Sequence, residues 1–200
     1  MSPKAQTQGQ WIRIDERLDL IGSIKVFNHF ANQSCNDECC LKWSIFSLHS
    51  ALQSAMAFHL SIGDYLEVMR PKDKIKYLRA DKENTEYPNC RMDSFLNLFK
   101  KIQSNKSLYT QFNPTNKQIW SIKKINNLRN QFTHFMPQFW SVEVSGIREI
   151  FRDCLDIIKF LGDNNKPRWW DEEQYHQFCD LLDQSYKKLV STDEKNQEKV

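Results

Sequence analysis

The sequence contains few residues that interrupt helices: 5 glycines and 6 prolines among 200 residues. A β-sandwich or barrel needs many tight turns, so this scarcity argues against both. No glycine-rich fingerprint of a Rossmann or P-loop fold occurs, and no apolar run reaches the ~18 residues of a membrane span. The first residues also lack the apolar core of a signal peptide. We therefore expect a cytoplasmic protein with reduced thiols and no membrane contact.

The patterns of a metal-dependent enzyme are missing as well. The acidic residues form neither an H-E-x-x-H motif nor a pair of carboxylates at helical spacing. Cys35, Cys39 and Cys40 leave a zinc site as an alternative, but their C-x3-C-C spacing has no matching second pair. Cys154 and Cys179 lie among apolar residues and are expected in the core. We therefore predict no metal and no cofactor.

The composition that remains is that of a globular helical protein. Hydrophobic residues make up 40% of the chain and charged residues 26%, and 200 residues suffice for one domain with its own core. Apolar residues recur at intervals of three and four along most of the chain. We predict an all-α fold, an up-and-down bundle of five to six helices with one or two long irregular connections. Residues 1–190 are expected to form this single domain, followed by a polar, disordered tail, 191–200.

The apolar spacing also gives the bounds of the helices. They are predicted over 11–30, 38–69, 95–102, 115–134, 142–161 and 171–189. Pro71 either ends the second helix or opens a short one that reaches Leu78. Polar loops are predicted over 80–91 and 104–113. The predicted N-caps are Asn36 or Asp37, Thr115 or Asn116, and Asp171, because their side-chain oxygens can accept hydrogen bonds from the first free amides of a helix.

The net charge of +3 is small, but the positive charge is unevenly distributed. No Asp or Glu occurs between residues 94 and 141. The basic residues of this region and its border are Lys100, Lys101, Lys106, Lys117, Lys123, Lys124 and Arg129. They fit a solvated basic face and a surface that guides phosphates equally well.

One stretch near the end of the fifth predicted helix carries reactive side chains. Arg129, Asn130 and His134 do not follow the apolar spacing of the helix. Histidine transfers protons near neutral pH, arginine matches phosphate oxygens with a forked set of donors, and asparagine can orient either group. Five residues of ideal helix place Arg129 and His134 about 140° apart. Pro137 predicts a frayed or tightened last turn that brings the two together.

These side-chain types suit the cleavage of RNA without a metal. The 2′-hydroxyl of the substrate attacks the adjacent phosphorus, so the protein needs a proton acceptor, a proton donor and a cation for the phosphate. The motif supplies only one histidine. A two-fold homodimer supplies two, so we expect the site to form at a dimer interface.

The residues Arg129-Asn130-x-x-x-His134 resemble the R-x(4–6)-H signature of the HEPN superfamily, in the form with a polar residue after the arginine. The flanking Ile125-x-x-Leu128 and His134-Phe135-x-Pro137-x-x-Trp140, and the helix around 43–53, are also similar to that superfamily. The resemblance covers roughly residues 39–161. It implies a HEPN-like helical fold and a metal-independent endoribonuclease, a toxin or antiviral defence effector, active as a homodimer. Arg129 and His134 are then the catalytic pair, and Asn130 supports them.

The resemblance also implies further contacts. A polar side chain of the second long helix reaches the site in HEPN proteins, and His49 with Gln53 is the candidate here. Lys123 and Thr133 are further candidates for RNA contacts. Many members of the superfamily are paired with a nucleotidyltransferase antitoxin, so such a partner is implied as well.

Two alternatives stay open at this point. Arg129 and Asn130 can act as a simple C-terminal cap, with His134 packed on the helix. The chain is then a non-catalytic HEPN-like module for dimerisation or partner binding. A separate expectation concerns Trp169-Trp170, since adjacent residues cannot both face one core and one ring should be exposed.

Overall fold

The computed structural model describes residues 11–34, 36–104, 111–134 and 141–197, with side chains described to residue 190. Within these ranges the chain is all-α, as predicted, and has one isolated bridge, Met69–Met92, but no strand. None of the described helices is long and apolar enough to cross a membrane. The described residues form seven α-helices rather than five or six: α1 Glu16–Phe30, α2 Glu38–Leu60, α3 Pro71–Glu83, α4 Phe95–Ser104, α5 Asn116–His134, α6 Ile147–Asn164 and α7 Glu172–Gln197.

Polar side chains begin three of the helices at the predicted positions. At the start of α2, the Asp37 side chain accepts a hydrogen bond of 2.6 Å from the Cys40 amide. At the start of α7, the Asp171 side chain accepts one of 2.7 Å from the Gln174 amide. At the start of α5, the Thr115 hydroxyl accepts from the Gln118 amide at 3.2 Å, and the Gln118 side chain accepts from the Thr115 amide at 3.0 Å. This reciprocal capping box fixes where α5 begins and hence the register of the candidate motif.

Two predicted bounds near the N-terminal half are wrong because of local backbone features. α1 begins at Glu16, not at residue 11, since Asp15 is extended and its side chain accepts from two amides of the first turn. α2 ends at Leu60, not at residue 69, and Gly63 follows with a left-handed φ of 79°. The apolar spacing continues past both points, so spacing alone does not reveal them.

Glycine and asparagine in the left-handed conformation set two further bounds. α6 begins directly after Gly146, whose φ is 76°, rather than at residue 142. Pro71 opens α3, which continues past Leu78 to Glu83. The predicted loop therefore starts only at Asn84, whose φ of 49° ends the helix.

α7 is longer than predicted at its C-terminal end. It continues from Glu172 beyond residue 189 to Gln197, so the backbone of 191–197 is helical. The apolar spacing stops near residue 189, and the polar residues that extend the helix carry no apolar signal. Residues 198–200 lie outside the described residues.

α2 is the central helix of the fold. It packs against α1, α4, α5 and α6, and its buried residues lie on every side rather than along one stripe. α1 runs antiparallel to α2, since Asp19 near its start accepts hydrogen bonds from Ser54 and Ser50 of α2. α7 packs over α1 and α6. The largest fully buried rings are those of Phe27, Phe58, Phe151 and Phe178.

The connection between α6 and α7 caps the end of α2. The Arg168 guanidinium donates to the carbonyls of Phe58 and Ser61, acceptors that a helix end leaves without partners in its own backbone. His59, expected in the core, is buried, and its Nδ1 lies 2.7 Å from the side-chain nitrogen of Asn165. The C-terminal end of the central helix is therefore held by side chains more than a hundred residues away in sequence.

The expectation for the tryptophan pair is confirmed. Trp169 is buried, whereas Trp170 is 65% exposed. The Trp170 ring lies over the Arg17 guanidinium at 4.0 Å and its Nε1 donates to Asp15 at 2.8 Å. The exposed ring therefore joins the start of α7 to the start of α1.

Replacing two helical glycines by alanine should change the free energy of unfolding in opposite ways. A Cβ on Gly162 would lie 2.2 Å from Phe178, whose buried ring cannot move away because Trp169 packs 4.9 Å from it. Gly162→Ala should therefore lower the free energy of unfolding by about 1–3 kcal/mol. A Cβ on Gly22 meets nothing within 4 Å, so Gly22→Ala should be neutral or stabilise by up to about 1 kcal/mol. Urea unfolding of both variants measures the difference, and equal effects would contradict the close packing of α6 on α7.

Candidate functional site

The buried side of α5 determines what its other sides present. Ile122, Ile125 and Leu128 are buried where α5 packs against α2, α4 and α6. Because these positions are three residues apart, they form one continuous apolar side of the helix. The polar residues between and after them are directed away from the core.

Two of the three predicted catalytic residues share one exposed face of α5. Asn130 and His134 are four residues apart, and both side chains are exposed. Lys123 and Asn127 lie on the same face and are exposed as well. This face therefore carries amide, imidazole and ammonium groups to solvent along about three turns of helix.

Arg129 lies on the neighbouring face and is half-buried. Its guanidinium donates to the Asn130 side-chain oxygen at 3.0 Å. The Thr133 hydroxyl donates to the Arg129 carbonyl at 2.8 Å, so that hydroxyl hydrogen is used within the helix. Asn130 therefore connects the arginine to the face that carries His134.

The predicted change of geometry in the last turn is absent. α5 is α-helical through His134, so Arg129 and His134 leave the helix about 140° apart. Pro137 and Trp140, on which the expected break and part of the flanking pattern rest, lie outside the described residues. Within one chain, regular helix thus separates the two groups that the motif pairs.

His49 of α2 is buried close enough to Arg129 to be affected by its charge. Its ring stacks on Phe95 at 4.0 Å, and its Nε2 lies 3.2 Å from the Asn126 side-chain oxygen. The pKa of His49 is lowered from 6.5 to about 4, chiefly by burial; the bond to Asn126 opposes the shift, and the positive charge of Arg129 contributes to it. His49 is therefore a neutral, hydrogen-bonded ring at pH 7 and does not lie on the surface as a direct RNA contact would.

Asn126 and Phe95 are the members of this site that the sequence did not identify. Asn126 lies three residues before Arg129 and four before Asn130, so its position on the helix already placed it beside them. Phe95 has no such signal, because its contact with His49 depends on how α4 packs against α2. The other polar candidate of α2, Gln53, lines a small pocket with Asp19 and Met92, and that pocket includes no residue of α5.

The basic cluster seen in the sequence is divided by the fold. Lys101 lies 2.8 Å from Asp93 and donates to the Met69 carbonyl at 2.8 Å, so its charge is used inside the protein. Lys117 lies 3.9 Å from Asp153. Lys123 is exposed on the face of Asn130, and Lys106 lies outside the described residues.

Cysteine and carboxylate side chains give no metal centre among the described residues, where no group of three or more potential ligands occurs. Cys39 is exposed, whereas Cys40 is buried with its Sγ 3.4 Å from the Gln33 side chain. Cys35 of the predicted trio lies outside the described residues. Cys154 is buried and Cys179 half-buried, as small core residues would be.

No family model, curated protein or solved structure matches this chain. A functional assignment therefore has to rest on the geometry of α5 and on its contacts with α2 and α4.

The neutral burial of His49 and His59 makes folding depend on pH. Both rings have a pKa of about 4 in the folded protein, because burial disfavours the charged form, against 6.5 for a free side chain. The unfolded chain therefore binds protons first as the pH falls. The stability that the neutral rings provide is complete above about pH 6.5 and is lost progressively towards about pH 4.

We expect the free energy of unfolding in urea to fall by up to about 1.4 kcal/mol per pH unit for each ring in this window. His49→Gln and His59→Gln should each remove one share of that slope. A free energy that stays constant across the window, or a slope that both variants retain in full, would show that the rings are not neutral and buried.

Proposed function

We propose that this protein is a metal-independent endoribonuclease of the HEPN type. The observation that carries the proposal is the arrangement on α5: Arg129 is linked to Asn130, and Asn130 shares an exposed face with His134. A simple helix cap does not need an imidazole on that face. The apolar packing behind Arg129, with a neutral His49, strengthens the electric field of the guanidinium towards solvent.

The reaction follows from the chemistry of the three side chains. The 2′-oxygen of the RNA forms a bond to phosphorus, the bond from phosphorus to the 5′-oxygen breaks, and a 2′,3′-cyclic phosphate results. Arg129 holds the charged phosphate, and Asn130 orients the guanidinium. One His134 ring takes the proton of the 2′-hydroxyl, and a second supplies a proton to the leaving 5′-oxygen.

The regular geometry of α5 supports a site shared by two copies of the chain. Arg129 and His134 of one helix point about 140° apart. Two α5 helices related by a two-fold axis can instead bring Arg129 of one copy to His134 of the other, and they also supply the second imidazole. We therefore propose a homodimer in which the pair acts across the interface.

An apolar groove beside the motif offers surface for this contact. It has a volume of about 590 Å³. Its apolar border is formed by Phe132 of α5, Trp43 and Leu41 of α2, and Val142 and Val144, and polar side chains around the start of α2, among them Asp37, Glu38 and Lys42, line the rest. Trp43 is 44% exposed, so part of its ring is accessible to a second copy at this groove. The biological setting that fits such a nuclease is a cytoplasmic toxin or antiviral defence effector held in check by an antitoxin, with a nucleotidyltransferase-like protein as the proposed partner.

RNA cleavage in excess EDTA tests the activity. Because general acid–base catalysis contributes about 10²–10⁴-fold, His134→Ala should lower the cleavage rate by at least about 100-fold. Arg129→Ala should have an effect of similar size, since it removes the charge that stabilises the phosphate. His176→Ala, which removes an exposed histidine of α7, is the matched control and should cleave like the original protein. Equal rates for all four proteins would refute the assignment.

A mixing experiment tests the shared site. Arg129→Ala and His134→Ala should each lose most of the activity, but a dimer containing one chain of each keeps an intact arginine on one copy and an intact histidine on the other. If the pair acts across the interface, mixing the two variants should restore part of the activity; the recovery is limited because the mixed dimer has only one His134 and water must take the second proton-transfer role. If the pair acts within one chain, no chain in the mixture has both groups and activity stays low.

The same groove also favours the second candidate, a non-catalytic module that dimerises or binds a partner. An exposed apolar surface next to the motif needs no chemistry to be useful. The cleavage assay separates the two functions, because a binding module leaves every RNA intact with or without His134.

A further inference from the structure

Residues 70–92 form an arm that leaves the helical bundle between α2 and α4. Among the described helices, α3 takes no part in the main helix–helix contacts. The base of the arm is closed by hydrogen bonds between its two ends: the Arg70 amide donates to the Arg91 carbonyl at 3.1 Å, and the Asp93 amide donates to the Val68 carbonyl at 2.9 Å. The arm is therefore a defined projection with a firm attachment.

The inner side of the arm holds it together. Tyr77 stacks on Tyr87 with ring centres 4.7 Å apart and planes inclined by 18°. The Tyr87 hydroxyl donates to Asp81 at 2.8 Å, and Asp73 accepts from the Arg91 amide at 3.1 Å. Two of the acidic residues of the arm are therefore engaged in its own contacts.

The outer side of α3 is mainly basic and is exposed. Lys72, Lys76, Arg79 and Lys82 all have exposed side chains, and the exposed Glu83 lies on this side as well, at the end of the helix. Tyr87, on the other side of the arm, is 54% exposed, so the stacked aromatic pair is also open to solvent. Clustered cations and an accessible aromatic ring on one projection are a combination that binds phosphates and bases of single-stranded nucleic acid.

The arm rises from the same part of the bundle as the candidate site. Asp93 at its base is paired with Lys101 of α4, and Phe95, two residues later, stacks on His49 behind Arg129. Met92 borders the pocket that contains Gln53, one turn of α2 from His49. A single strand of nucleic acid that follows the arm to its base is therefore directed towards α5.

We propose that this arm binds a single-stranded segment of RNA, with its cations on the phosphates and Tyr87 against a base. The identity of the ligand as RNA rests on the proposed function. The exposed Ile75 and Leu78 on the same helix also fit an anionic lipid surface. The stacked tyrosine pair favours nucleic acid, because a lipid headgroup offers no flat ring for stacking.

Fluorescence anisotropy with a labelled short single-stranded RNA tests the proposal, using the full chain with His134→Ala so that the probe stays intact. The arm variant carries Lys72→Gln, Lys76→Gln and Arg79→Gln. The matched control carries Lys25→Gln, Lys166→Gln and Lys187→Gln, which remove three exposed charges from α1, the α6–α7 connection and α7. Both variants change the net charge equally and keep side chains compatible with helix.

The arm variant should bind the RNA at least about ten-fold more weakly, and its slope of log Kd against log salt should fall by about 2, as expected for three lost phosphate contacts to a single strand. The control should keep both values. Equal weakening of the two variants, or no RNA binding by any of the proteins, overturns the proposal. Arm-dependent binding to phosphatidylserine–phosphatidylcholine vesicles with unchanged RNA affinity overturns it in favour of a membrane. Because binding is read without cleavage, the result is independent of whether the protein cuts RNA.

Discussion

The burial of Ile122, Ile125 and Leu128 against the central helix α2 is the interaction on which the candidate site depends. A helix with one side fixed in the core has no freedom to rotate, so the remaining residues must point where the helical repeat places them. The capping box at Thr115 fixes the start of the same repeat. Core packing and capping together decide that Arg129 lies at the edge of the packed side.

The regular, core-packed helix also keeps Arg129 and His134 of one chain apart, although the proposed chemistry needs both at one phosphate. An α5 helix that tightened in its last turn would make a complete site in one chain. A regular helix requires a second molecule for the same purpose, and it exposes His134 where a second molecule can reach it. Under the proposed mechanism, dimerisation is thus a direct consequence of the helical repeat. Buried His49 contributes as a neutral neighbour, since a charged ring there would repel the nearby Arg129 guanidinium.

The sequence predicted best what depends on neighbouring residues. The caps at Asp37, Thr115 and Asp171 and the existence of most helices follow from local hydrogen bonding and from apolar spacing. The end of α2 at Leu60 was missed because the apolar pattern continues while the backbone turns at Gly63. The burial of His49 and its contact with Phe95 were beyond prediction for another reason. They depend on the packing of α4 against α2, and no pattern within either helix reports it.

The charged residues also show that a pattern along the sequence need not match the surface of the folded protein. The basic residues from 100 to 129 looked like a phosphate surface because no acid interrupts them in sequence. Lys101 nevertheless pairs with Asp93, the acid directly before the acid-free stretch, and helps to hold the base of the arm. In the arm, seven basic residues are interspersed with four acidic ones, so the sequence shows no acid-free stretch there. There the fold turns Asp73 and Asp81 towards internal donors and leaves Lys72, Lys76 and Arg79 facing outward. A surface that attracts phosphate is therefore defined by which charges the fold leaves without internal partners, and a count along the chain does not reveal it.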